Sequence, residues 1–237
     1  MSPPSVERGD GARARIAELV AAARGDRESA ATVELAGFGP AAVEAVIEAL
    51  LSEPAPGGRR QLVGLLEELA PPHLDRLEAA MDEAPWFLVR NLVAVVGRVG
   101  AVEQLPVLEG LLAHDHPAVR REAVRGVVRL GGVLAVASLV QAGADPDPGV
   151  RRLALRALAE VDSAASVAAL ARASRPGRPA GERQVALSGL ARSARPEAEV
   201  ALRRAAGRLA VSAASRRVRA HARVLLAQRP RRMVTFR

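Results

Sequence analysis

Apolar residues return along this chain at the spacing of one helix face, and that pattern itself returns at a longer period. Residues 115–131, DHPAVRREAVRGVVRLG, set Val119, Ala123, Val124, Val127 and Leu130 at intervals of three and four. Thirty-one residues on, DPDPGVRRLALRALAEVD (145–162) sets Val150, Ala154, Leu155, Leu158 and Val161 in the same places. The same alternation predicts helices over 10–24 and up to 39, then 40–52 with its partner up to 69. It continues with 72–83 and 85–100, 102–113 and 117–131, and 133–142 and 150–161. Two last pairs follow, 164–173 with 182–193 and 197–213 with 216–228. Inward residues include Ile16, Leu19 and Val20, then Val43, Val46, Ile47, Leu50 and Leu51, then Leu62, Leu65, Leu66 and Leu69.

The second helices end at residues 39, 70, 100, 131, 162, 194 and near 230, in steps of 31, 30, 31, 31, 32 and 36. An amphipathic stripe alone does not hold phase over five turns of that length. A helical pair cannot bury its own apolar face, so repeated pairs stack on their neighbours. The expected fold is therefore all-α: a right-handed superhelical solenoid of about seven antiparallel helical hairpins. The expected organisation is a disordered N-terminus over 1–9, the array over 10–230, and a basic tail over 231–237.

Helical pairs of about 30 residues, whose second helix opens D-x-P-x-V-R, resemble HEAT repeats. The likeness is nearest to the short bacterial PBS-lyase HEAT-like subtype. DHPAVRREAVRGVVRLG and DPDPGVRRLALRALAEV carry the motif best, and PWFLVRNLVAVVGRVG keeps its proline and apolar pattern. The resemblance implies that Arg120 and Arg151 bond the turn acids Asp115, Asp145 or Asp147 and tie one repeat to the next. It also implies that second helices line the inner, concave surface. For function it implies little, because such repeats serve many roles.

Composition narrows the chemistry. The chain has no Cys, one Trp and no Tyr, so neither a disulfide framework nor a rich base-stacking surface is expected. The N-terminal residues lack an apolar leader, and no run nears the length of a membrane span; a soluble, cytoplasmic protein is expected. All 34 basic residues are Arg, for a net charge of +8. Residues 1–115 hold 10 Arg and 18 acids, whereas residues 116–237 hold 24 Arg and 8 acids. Charge is thus segregated along the chain.

Arg60, Arg90, Arg121 and Arg152 occupy one register of four successive second helices. On a helical wheel Arg152 falls at 200° and Arg156 at 240°, away from the apolar residues, at 100° per residue. With Arg98, Arg125, Arg129 and Arg156 they form a candidate ladder for acidic side chains or phosphates. At about 10 Å per stacked hairpin, four rungs match about nine residues of extended peptide. His114, Asp115 and His116 read as a turn rather than a metal site, and no catalytic motif or cofactor site is apparent. Trp86 and Phe87 are expected to plug adjacent hairpins, and residues 174–181 to form a mobile loop.

The leading reading is a non-catalytic adaptor that binds a protein or acidic peptide along its Arg-lined face. The alternative is sequence-nonspecific nucleic-acid binding by the basic C-terminal half, through Arg203, Arg204, Arg216, Arg217 and Arg219. A chromophore-lyase-type subunit is a third, suggested by the subtype's name.

Overall fold

The computed structural model describes residues 5–24, 30–207 and 212–228. The basic tail and the turn at Gly25–Asp26 lie outside them. Among the described residues the chain forms fourteen α-helices and no strand, in the order of seven hairpins. It divides into two compact units, Met1–Leu130 and Gly131–Arg237.

In the first unit, α1 (Ser5–Ala23) packs with α2 (Ala30–Ala36). The helix begins at Ser5, which corrects the expectation of disorder up to residue 9 and a start at Asp10. Next come α3 (Pro40–Ser52) and α4 (Pro56–Leu69), each with proline in its first turn, where no amide hydrogen is needed. Val43, Val46, Leu50, Leu62, Leu65 and Leu66 are wholly buried, each stabilising the fold by about 1.5–3 kcal/mol. Leu51, expected inside, stays 48 % exposed in the last turn of α3.

The first helices of the next two hairpins are broken. A 3-10 turn at Pro71–His73 precedes α5 (Leu74–Ala79), and 3-10 turns flank α7 (Leu105–Gly110). Pro71, Pro72 and Pro106 withhold backbone donors there. Their partners α6 (Trp86–Val99) and α8 (Pro117–Gly131) are long and regular. At one point these two come to backbone distance: a Cβ on Gly97 would lie 2.8 Å from the Cα of Gly126. Glycine is required there for lack of room, not for its backbone freedom.

The second unit opens with a turn containing Gly132 at φ 48°, so α9 (Val136–Ala142) starts later than expected and leaves Val133 and Leu134 exposed. Asp147 caps α10 (Pro148–Leu158) by accepting the Val150 amide at 2.9 Å, and Ser163 caps α11 (Ala164–Ala173). The remaining helices are α12 (Ala180–Arg192), α13 (Pro196–Gly207) and α14 (Ala213–Gln228). At the start of the loop before α12, Arg183 donates to the carbonyl of Ser174 at 3.2 Å. Among the described residues no single helix is long and apolar enough to cross a membrane.

Candidate partner-binding face

Consecutive arginines open the second helices at Arg59–Arg60, Arg120–Arg121 and Arg151–Arg152. The first of each pair reaches back into its own turn. Arg59 donates to the carbonyls of Glu53 and Pro54, Arg120 to those of His114 and Asp115, and Arg151 to those of Asp145 and Pro146, all at 2.7–2.9 Å. Turn carbonyls have no helical donor, so one guanidinium nitrogen, Nη1 in each case, satisfies two of them with charge-assisted bonds. The resemblance implied turn carboxylates as partners; the acceptors of these bonds are backbone oxygens of the turns. Arg151 does reach the next hairpin, but through Glu182, at 2.9 and 2.7 Å. Hydrogen bonding to Glu182 raises the Arg151 pKa, partly opposed by burial.

Other polar groups brace the turns. Glu53 accepts the Ala55 amide at 2.9 Å and Arg24 Nη1 at 2.6 Å. These bonds, the backbone one foremost, hold its carboxyl below the usual value against the opposing effect of burial. His116 Nδ1 accepts the Ala118 amide, and His114 Nδ1 accepts that of His116. The two imidazoles therefore serve the turn. Among the described residues no group of three or more potential metal ligands gathers.

Of the second arginines, Arg60 and Arg152 are exposed and Arg121 is half-buried. In the first unit a groove of about 470 Å³ runs between α4 and α6 and reaches Glu122 of α8. Arg60, Arg90, Asn91 and Arg98 line it, with Glu67. Arg60 is exposed and has no partner among the described residues, and Arg90 makes one bond of 3.3 Å to its neighbour Asn91. Both acids are engaged, Glu67 by Arg98 and Glu122 by Arg125. Arg121 is drawn back instead, its Nε 3.3 Å from the Pro117 carbonyl, and Arg129 donates to the Gly97 carbonyl. Arg60 and Arg90 thus come together on one groove, while Arg121 and Arg125 have local partners.

In the second unit Arg152 repeats the geometry of Arg121, with Nε 3.3 Å from the Pro148 carbonyl. Arg156 lines a cleft of about 550 Å³ with Gln184, Ser188, Arg192 and His221. Ser188 and His221 share a hydrogen bond of 3.0 Å there, and Arg192 pairs with Glu160 at 2.7 Å. Of the basic patch, Arg204, Arg216 and Arg217 are exposed, Arg203 is exposed but paired with Glu199, and Arg219 is half-buried.

Sequence reasoning missed Arg59, Asn91, Glu67 and Glu182. The repeated Arg-Arg dipeptide marked Arg59, and Glu182 stands one period beyond Arg151; nothing marked Asn91.

No curated protein matches the chain in sequence. Among solved structures it is similar to human deoxyhypusine hydroxylase in complex with glycerol, at 15 % identity over 92 % of this chain and 98 % of that one, TM-score 0.38. It is similar to an archaeal HEAT-like repeats protein from Thermococcus onnurineus, at 13 % identity over 90 % and 98 %, TM-score 0.44. A third is the complex of CpcE and CpcF of phycocyanin lyase from Nostoc sp., at 20 % identity over 86 % and 93 %, TM-score 0.34. The family model of HEAT repeats matches twice, over residues 74–159 and 104–191. Those spans contain both motif-bearing hairpins, and the chain belongs to the HEAT-repeat family.

Proposed function

We propose that this chain is a non-catalytic scaffold of the cytoplasm that binds a protein partner through an acidic segment laid along the second helices of its first unit. Stacked hairpins offer a continuous surface of repeated chemistry, which suits an extended ligand. The observation that carries the reading is the groove between α4 and α6, where, among the described residues, Arg60 has no partner and Arg90 only a long bond to Asn91. The acids in that groove are already neutralised by Arg98 and Arg125, so an incoming carboxylate meets uncompensated positive charge. A guanidinium–carboxylate bond contributes about 1.5–3 kcal/mol where water is excluded and less at an exposed rim.

The test is fluorescence anisotropy with a labelled peptide of about nine glutamates, longer than the roughly 10 Å between neighbouring hairpins requires. Replacing Arg60 and Arg90 together with Ala should weaken binding by about tenfold or more and leave the thermal midpoint unchanged. Unchanged affinity in that variant would defeat the reading.

A second reading, nonspecific nucleic-acid binding, is favoured by the exposure of Arg204, Arg216 and Arg217 in the second unit. It requires affinity for duplex DNA or RNA that falls steeply with salt and flattens when Arg203, Arg204, Arg216, Arg217 and Arg219 become Ala. Failure to shift either duplex at about 50 mM salt would dismiss it.

A further inference from the structure

Leu51 and Trp86 are large apolar residues that remain half in solvent, at 48 % and 45 % exposure. Both line a single notch of about 440 Å³, together with Pro54 and Phe87. That notch shares Arg59, Arg90 and Asn91 with the basic groove, so the two depressions are continuous. Its aromatic wall is held in place before any ligand arrives. Trp86 stacks on His116 with ring centres 3.8 Å apart and planes 8° from parallel, and meets Phe87 edge to face at 6.2 Å. Glu53, the one acid among the lining residues, is engaged by Arg24 and the Ala55 amide.

We infer that the notch receives a bulky apolar side chain of the partner, next to the acidic run that occupies the groove. The inference rests on the acidic-peptide reading and deepens it: the recognised segment is a string of carboxylates flanked by a residue such as Leu. Two properties of the site favour that occupant over a purely acidic one. An exposed leucine beside a fixed aromatic wall gains by being covered. An apolar anchor at this point also excludes water from Arg90, which strengthens the ion pair made there. An oligonucleotide offers phosphates but no aliphatic side chain for the notch.

Trp86 is the only tryptophan in the chain, so its emission reports the notch directly. The experiment uses the full chain and three peptides: about nine glutamates, and the same peptide with Leu added at one end or at the other. One of the leucine isomers should bind about tenfold tighter than the all-glutamate peptide and shift Trp86 emission to the blue. The all-glutamate peptide should leave the emission unmoved. Leu51→Ser should remove the leucine gain and keep the all-glutamate affinity, which also shows that the variant is folded. Equal affinity for all three peptides, or a gain that survives Leu51→Ser, overturns the notch while the groove reading stands. Indifference of all three peptides to Arg60→Ala with Arg90→Ala overturns both. A single-stranded oligonucleotide that displaces the leucine peptide and shifts Trp86 equally would overturn the assignment to a peptide.

Discussion

Arg151 directs both Nε and Nη2 at one oxygen of Glu182, a carboxylate 2 % exposed and thirty-one residues further along the chain. The other oxygen has no hydrogen bond and lies 3.7 Å from Arg178. Removing Glu182 strands the Arg151 charge, and removing Arg151 leaves Glu182 with only the longer Arg178 contact, at a cost of up to about 3–5 kcal/mol. Arg151→Ala and Glu182→Ala should each lower the urea midpoint accordingly. Leu at both positions should lose less than either single change, because no charge is stranded. A double variant as damaged as the sum of the singles would mean that the pair is not coupled.

How much of this was legible beforehand differs by level. Helix positions and the buried face of α4, α6 and α10 followed from apolar spacing, because residues such as Leu62, Leu92 and Leu155 have one side on which to hide. The broken first helices did not, since Leu77 and Leu108 keep helical phase while the neighbouring prolines shorten the helix. The outward register of Arg60 and Arg90 was readable from the wheel. Their continuity with Leu51 and Trp86 was not, because it depends on the last turn of one helix meeting the first turn of another in the next hairpin.

The two arginines of a pair should separate cleanly in function. Arg120→Ala takes a donor from two turn carbonyls and should cost about 1.5–3 kcal/mol. Arg121→Ala removes a half-buried side chain that includes a long bond to the Pro117 carbonyl, and should cost less, about 0.5–1.5 kcal/mol. Chemical denaturation of both variants measures the difference, and equal losses would refute the division of labour.

Glycines offer a second contrast. Gly97→Ala pushes a methyl to 2.8 Å from the Gly126 backbone, which cannot retreat as a side chain does; a loss of about 1–3 kcal/mol is expected. Gly110 has helical geometry and open space around the same position. Gly110→Ala should instead stabilise by about 0.4–1 kcal/mol. Thermal melts that fall for both would show that lack of room is not the cause.

Acid should act on the Glu53 turn in a defined sense. The Ala55 amide and Arg24 hold the folded-state pKa of this carboxyl below its ordinary value, whereas the unfolded chain keeps that value. A depressed folded pKa means that the unfolded state binds the proton more readily. The resulting stability is therefore fully present above the unfolded pKa and is lost as the pH falls through the folded one. Glu53→Gln keeps an acceptor for the Ala55 amide and removes the charge that faces Arg24. The variant should be less stable than the wild type at neutral pH, and the gap should close as the pH drops through and below the carboxylate range. Other carboxylates titrate in the same interval, Glu34 beside Arg15 among them, but they are common to both proteins and cancel in the difference. A gap that stayed constant down to that acid limit would mean that the charge of Glu53 is not its source, and no gap at any pH would assign the turn's stability to the backbone bond alone.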